Sequence, residues 1–345
     1  MPPKQPRRAT RKGDDTQPEE AVTAELSPEA QSAEPPPKKS KKAAAASIVE
    51  APLPIARTPT PRPEKVDGLV VGHWNIAGLN GLLKSAERKE RFLALLREED
   101  PDVLAISEHK LSEAKAAAGI QELMALCPAY KAHWAICTAK NGYAGVGVLV
   151  KRGLKVLRTE IDAICTLNEG RTVMLELEDI FVVATYVPNS GQDLKRLDFR
   201  IDIWDPALRE YISNLQKTKP VCAIGDFNVA HLDIDIWNVT AKHIPKSAGT
   251  TPRERESFGK LLEDVELVDA FRVLHPDATG CFTYWSTRAG NQNINRGLRL
   301  DYALLSKALA SDGAAGSLRL HFCDAQKEYA PNGDHCPTLV GLKRT

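Results

Sequence analysis

From Leu69 to its C-terminus the chain alternates short apolar, β-branched runs with amphipathic helical patterns. That alternation suits sheets covered by helices and is of no use to a helical bundle. The predicted strands are 70–75, 103–107, 132–137, 145–151, 173–177, 181–187, 221–225, 282–286, 299–305, 317–322 and 338–342. Between them, Phe92, Leu93, Leu95 and Leu96 make one helical face, and Phe258, Leu261 and Leu262 make another. Thr251-Pro252-Arg253-Glu254 starts the second helix: Thr251 caps, Pro252 suits the first turn, and Glu254 reaches back to the cap amide. The expectation is two packed sheets with helices outside, forming one domain over residues 67–345.

Residues 1–66 have a different composition. They hold 13 of the 23 prolines, no aromatic residue and no cysteine. Such a stretch buries too little apolar surface to offset the entropy of ordering, so a disordered tail is expected. It contains two basic clusters, Arg7-Arg8-Ala9-Thr10-Arg11-Lys12 and Pro37-Lys38-Lys39-Ser40-Lys41-Lys42. These read as candidate nuclear localisation signals, making an import receptor an expected partner and the nucleus the expected location. Asp14, Asp15, Glu19, Glu20 and Glu25 argue against an organellar transit peptide, and no apolar run suits a signal peptide or a membrane span. The tail takes 12 of the 46 basic and 9 of the 45 acidic side chains, leaving the rest slightly acidic. Any polyanion must therefore meet a local concentration of positive charge. Seven cysteines without a C-x-x-C pair point to free thiols in a reducing compartment.

Two motifs fall where predicted strands give way to loops, Ile224-Gly225-Asp226-Phe227-Asn228-Val229-Ala230-His231 and Gly333-Asp334-His335-Cys336-Pro337. A phosphodiester is anionic and a poor electrophile. Its hydrolysis needs positive charge on the phosphate and an oriented, partly deprotonated water. Glu108, Asp226, Asn228, Asp334 and His335 supply the oxygen ligands, base and hydrogen-bond donor for that task, and a hard cation such as Mg²⁺ takes only one or two carboxylates directly.

Six motifs in order, His73-Trp74-Asn75-Ile76-Ala77-Gly78-Leu79, Ala105-Ile106-Ser107-Glu108-His109-Lys110, Tyr186-Val187-Pro188-Asn189-Ser190-Gly191, the Asp226 run, Leu298-Arg299-Leu300-Asp301-Tyr302 and the Asp334 run, carry a resemblance. From about Leu69 onward the chain resembles the exonuclease III type apurinic/apyrimidinic endonucleases of the endonuclease/exonuclease/phosphatase superfamily. The resemblance implies an α/β, four-layered sandwich of the deoxyribonuclease-I-like kind. It also implies hydrolysis of the phosphodiester 5′ to an abasic site to leave a 3′-hydroxyl, with 3′-phosphodiesterase and weaker 3′-5′ exonuclease activity. The implied substrate is double-stranded DNA with abasic sites or blocked 3′ ends, the cofactor is Mg²⁺ with Mn²⁺ as substitute, and a monomer is expected.

The same resemblance assigns roles. Glu108 is the principal metal ligand, and Asp334 supports the metal directly or through its water shell. Asn75, Asp226, Asn228 and His335 complete the candidate metal surroundings. Asp226 orients or deprotonates the attacking water, Asn228 hydrogen-bonds the phosphate, His335 donates to a phosphate oxygen, and Asp301 holds its ring. Tyr186, Asn189 and Asn75 contact the phosphate or buttress the site, and Arg171 is expected at a backbone phosphate. Tyr284, Leu298 and Leu300 wall the pocket for the extruded sugar, and Gln192 and Arg288 lie where some homologues insert into the DNA grooves.

Three positions depart from the pattern. Ala77 replaces a polar residue near the metal, so altered metal affinity is expected. Leu298 replaces a Trp, which leaves the sugar pocket apolar but roomier. Gly72 stands where redox-active mammalian-type enzymes have a cysteine, so that second activity is not expected. The alternatives are a superfamily phosphatase or phosphodiesterase acting on another phosphate ester, and a catalytically weakened DNA-binding protein.

Overall fold

The computed structural model describes residues 54–61, 66–165, 167–311 and 317–345. In chain order its strands are β1 (Gly68–Asn75), β2 (Val103–Ser107), β3 (Tyr130–Ala135), β4 (Val146–Lys151), β5 (Arg158–Ile161), β6 (Thr172–Glu176), β7 (Phe181–Tyr186), β8 (Val221–Asp226), β9 (Leu267–Asp269), β10 (Tyr284–Trp285), β11 (Gly297–Leu298), β12 (Asp301–Ser306), β13 (Leu318–Ala325) and β14 (Thr338–Arg344). One six-stranded sheet runs β13-β14-β1-β2-β4-β3, the other β5-β6-β7-β8-β12-β9, and β10 and β11 form a separate two-stranded ribbon. Within the six-stranded sheets, β1 with β2 and β7 with β8 are parallel, and the remaining pairs are antiparallel.

The four-layer arrangement follows from period-two side-chain alternation. Leu69, Val71, Val103, Ala105 and Val148 of the first sheet meet Val182, Ala184, Cys222, Ile224 and Ala303 of the second. The opposite face of the first sheet, with Leu104, Ile106 and Leu339, packs under Phe92 and Leu95 of the helix Ala86–Glu98 and Leu123 of the helix Glu113–Leu126. The outer face of the second, with Val183, Ala223 and Leu304, is covered by Leu208 and Ile212 of the helix Asp205–Gln216 and Phe258 and Leu261 of the helix Pro252–Asp264. Both sheets are therefore buried on both faces, which explains why the central strands read as continuous apolar runs.

Strands with such runs lie close to their predicted places, and 103–107 has the predicted bounds. β5, β9 and β11 escape sequence detection because they are two to four residues long, and β5 is a polar edge strand. The predicted strand 282–286 shrinks to Tyr284–Trp285, outside the main sheets.

Residues 54–61 correct the expected extent of the tail. They lie against the body, with Ile55 N bonded to Ile294 O and Thr58 N to Thr279 O, while Asp324 accepts from Arg57 and Thr60. Gly280 adopts φ +67°, and a Cβ there would lie 2.1 Å from Ala56 O, so this close approach requires glycine. The basic clusters at 7–12 and 37–42 lie outside the described residues. A chain starting at residue 62 should melt roughly 2–8 °C below one starting at residue 54, because the shorter chain leaves several part-buried hydrogen-bonding groups unpaired. Equal melting temperatures by calorimetry would show that the segment adds nothing to stability.

Candidate active site

The site is the top layer of the core between the sheets. Alternation carries the inward row Leu69, Val71, His73 to Asn75 in β1, Val182, Ala184 to Tyr186 in β7, and Cys222, Ile224 to Asp226 in β8. Both parallel pairs end there, so Asn75, Ser107, Tyr186 and Asp226 emerge together, with Glu108 one residue beyond β2. β12 runs the other way and brings its first residue, Asp301, opposite Asp226. His335 precedes β14, whose Thr338 pairs with His73.

Asn75 organises the carboxylates. Its Nδ2 donates to Glu108 Oε1 at 3.2 Å and Asp226 Oδ2 at 3.0 Å, while its Oδ1 accepts from Ala77 N. Tyr186 OH donates to Glu108 Oε1 at 2.6 Å, and Lys110 Nζ lies 2.6 Å from Glu108 Oε2. Burial opposes charge on Glu108, yet Lys110 and these hydrogen bonds hold its carboxyl below the ordinary value. Burial, followed by the charges of Glu108 and Asp226, raises the Tyr186 hydroxyl well above its usual range and keeps it a donor. Ala77, Glu108 and Asn228 all have φ near +50°, a conformation costly for residues with side chains that here turns the chain away from each strand end.

His335 Nδ1 lies 2.8 Å from Asp301 Oδ2 and its Nε2 lies 3.7 Å from Asp226 Oδ2. Burial alone would lower the imidazole, but Asp301 and Asp226 overcome it and raise His335 to about 10, so it is a cation at neutral pH. Burial also lifts Asp226 to about 7, with His335 pulling it down and Asp301 pushing it up. The His335 backbone is fixed as well: its N–H donates to Asp334 Oδ1 and its carbonyl accepts from Trp74 Nε1.

Asn228 Oδ1 accepts from Asn189 Nδ2 at 2.8 Å, its Nδ2 donates to Val187 O, and its N–H donates to Asp226 Oδ1. Arg200, which no motif singles out, and Glu254, expected only as part of a helix cap, lock this turn. Buried Arg200 donates to the carbonyls of Phe227 and Asn228 and lies 3.3 Å from Glu254. The expected capping box is present, but Glu254 also accepts from Ser190 and Gly249, so capping does not account for it fully.

A cavity of about 630 Å³ opens over these groups, lined by Asn189, Gln192, Lys246, Asp334 and His335 as well as Tyr284, Leu298 and Leu300. The Tyr284 ring sits 5.0 Å from that of His335, and Tyr284 pairs with Leu298 across β10 and β11. A second cavity of about 360 Å³ shares Asp334 and is lined by Glu87, Arg88 and Arg91.

The structure departs from one expectation. Arg171 is fully buried, donating to Tyr186 O and Tyr143 OH and pairing with Glu169, so it supports β7 and does not face a DNA phosphate. Arg288 is exposed on the turn Thr287–Ala289 and lines neither cavity.

Two donor sets could attract a cation. Asp226, Asp301 and His335 lie within 4.8 Å of one another and could together hold a metal ion. Glu108 and Asp334 offer oxygen atoms at the cavity wall, which fits a hard divalent ion better.

Residues 72–321 match the family described as Endonuclease/Exonuclease/phosphatase. The chain is 34% identical over 264 residues to an exodeoxyribonuclease of Bacillus subtilis, covering 76% of this chain and 95% of that protein. It is 35% identical over 285 residues to a DNA repair nuclease, APEX1, of Danio rerio, covering 82% and 85%. Its fold is similar to the crystal structure of an AP endonuclease from Leishmania major, with TM-score 0.71, 30% identity and coverage of 85% and 93%.

Proposed function

This chain belongs to the endonuclease/exonuclease/phosphatase family, and from that premise we propose that it is an AP endonuclease, hydrolysing the phosphodiester on the 5′ side of an abasic site to leave a 3′-hydroxyl. The observation that carries this reading is the placement of an apolar wall, Tyr284, Leu298 and Leu300, directly beside the buried Asp226 and His335. An abasic sugar offers such a wall its ring without a base, and extrusion brings the adjoining phosphate over the charged groups. Arg88 and Arg91 in the adjoining cavity offer guanidinium groups to a DNA backbone, beside Glu87.

Asp226 takes a proton from the water that attacks phosphorus, and the P–O3′ bond breaks. Asn228 is held by Asn189 and Val187 at the phosphate side of the turn. His335 donates from Nε2 to a non-bridging oxygen, and its cation offsets the charge that grows there. Tyr186 keeps Glu108 oriented. Glu108 and Asp334 would hold Mg²⁺ or Mn²⁺, which supplies positive charge to the phosphate and leaving oxygen. The same groups would act on blocked 3′ ends and, more weakly, as a 3′-5′ exonuclease. We further propose that the protein works as a monomer on double-stranded DNA in the nucleus, delivered by an import receptor that reads the basic clusters near the N-terminus. No helix among the described residues is long and apolar enough to cross a membrane.

The test is cleavage of a duplex with one synthetic abasic site beside its intact twin, with Mg²⁺, Mn²⁺ or chelator, mapped at nucleotide resolution. A metal-dependent incision immediately 5′ of the lesion is expected. Equal turnover of an inositol-lipid phosphate, or binding without cleavage, would overturn the reading.

A further inference from the structure

One buried polar group beneath the site has no part in the chemistry above. His73 follows Leu69 and Val71 on the inward face of β1, where a third apolar residue would continue the core at no polar cost. Its ring is wholly buried. Nε2 lies 2.7 Å from Ser107 Oγ, and Nδ1 faces Asp301 Oδ1 at 3.3 Å. Both His73 Nδ1 and Asp301 Oδ1 are buried without a hydrogen-bond partner among the described residues, so their 3.3 Å approach is a close polar contact that falls short of an aligned hydrogen bond.

These contacts join the two sheets. Ser107 is the residue before Glu108, and the other oxygen of Asp301 holds His335 Nδ1 at 2.8 Å. We propose that His73 is a positioning residue for phosphodiester hydrolysis, accepting from Ser107 at Nε2 and presenting its Nδ1–H to the unpartnered oxygen of Asp301, so that Asp301 and through it His335 keep one orientation. The proposal deepens the AP endonuclease reading and rests on it for its kinetic arm.

The physical reason lies in Asp301. A carboxylate with one oxygen engaged can turn about its terminal torsion, and His335 would turn with it. An Nδ1–H held against the second oxygen opposes that turn, and so keeps the direction in which His335 Nε2 points. Burial, which outweighs the attraction of Asp301, lowers His73 to about 4. A neutral imidazole has one donor and one acceptor, and the two neighbours match them. The contact to Ser107 then references the whole row to the strand that presents Glu108.

The two nitrogens can be tested separately, because Asn places its Nδ2 near the imidazole Nδ1 position and Gln places its Nε2 near the other nitrogen. His73→Asn keeps a donor toward Asp301, His73→Gln keeps a group toward Ser107, and His73→Leu keeps neither. On the full-length, metal-loaded protein, His73→Leu and His73→Gln should lose about 10- to 100-fold in kcat on an abasic duplex with KM unchanged. His73→Asn should stay within about threefold of wild type. Imidazole ¹⁵N spectra should show the His335 Nδ1–H resonance in place in His73→Asn and displaced in His73→Gln. Should Leu prevent folding, the Asn and Gln pair still decides. Equal impairment of Asn and Gln, or an unmoved His335 resonance in Gln, overturns the proposal. If wild type does not cut the duplex, the AP endonuclease reading fails alone, because the spectra need no substrate.

Discussion

Asp226→Asn should lower kcat on an abasic duplex by about 10²- to 10⁴-fold, the range expected when a positioned base is removed, while affinity for that duplex stays the same or rises. The side chains are isosteric, so the turn survives: the introduced carboxamide oxygen can still accept from Asn228 N, as Asp226 Oδ1 does at 2.9 Å. That geometry sends the new amide nitrogen toward Asn75 Nδ2 and His335 Nε2, the neighbours of Asp226 Oδ2. Donors then face donors, and no group remains to take the proton from water. Loss of a negative charge also removes repulsion of the phosphate. Single-turnover incision and a binding isotherm separate the two effects. Turnover within about threefold of wild type would remove Asp226 from the mechanism.

His335→Asn should cost about 10²- to 10³-fold in kcat, as loss of a donor to a developing oxyanion does, and should reshape the pH profile. In the wild type the rate rises with pH as Asp226, lifted to about 7 by burial, gives up its proton. It falls again as His335, raised to about 10 chiefly by Asp301 and Asp226 against the effect of burial, loses its charge. These limbs belong to an interacting pair. Replacing His335 abolishes the alkaline limb. It also takes an opposite charge from beside Asp226, so the acid limb should move to higher pH. A variant with an unchanged bell would show that the alkaline limb belongs to another group.

How much of this was legible before the structure depends on distance along the chain. Glu108, Asp226, Asn228, Asp301, Asp334 and His335 were all named from motifs, and the strand-end placement of Glu108 and Asp226 could be read from the apolar runs before them. The capping box at Thr251 and Glu254 was equally local. Arg171 was misplaced because Glu169-Gly170-Arg171 gives its neighbours but not its direction, and the structure turns the guanidinium inward beneath Tyr186. Residues 54–61 carry three prolines and no long apolar run, so composition put them in the tail. Ile55 and Arg57 find their partners more than 200 residues away.

By itself the sequence determined the layer architecture and the chemical inventory of the site, because side-chain alternation, caps and strand-end loops are set by residues within a few positions of one another. The tertiary structure alone decided which oxygen of Asp301 meets His335 and which meets His73, that Arg200 and Glu254 lock the Asn228 turn, and that His335 is cationic beside a carboxylate poised near neutrality. Those outcomes depend on burial and on distances of a few ångströms between strands of two sheets, and only packing sets them.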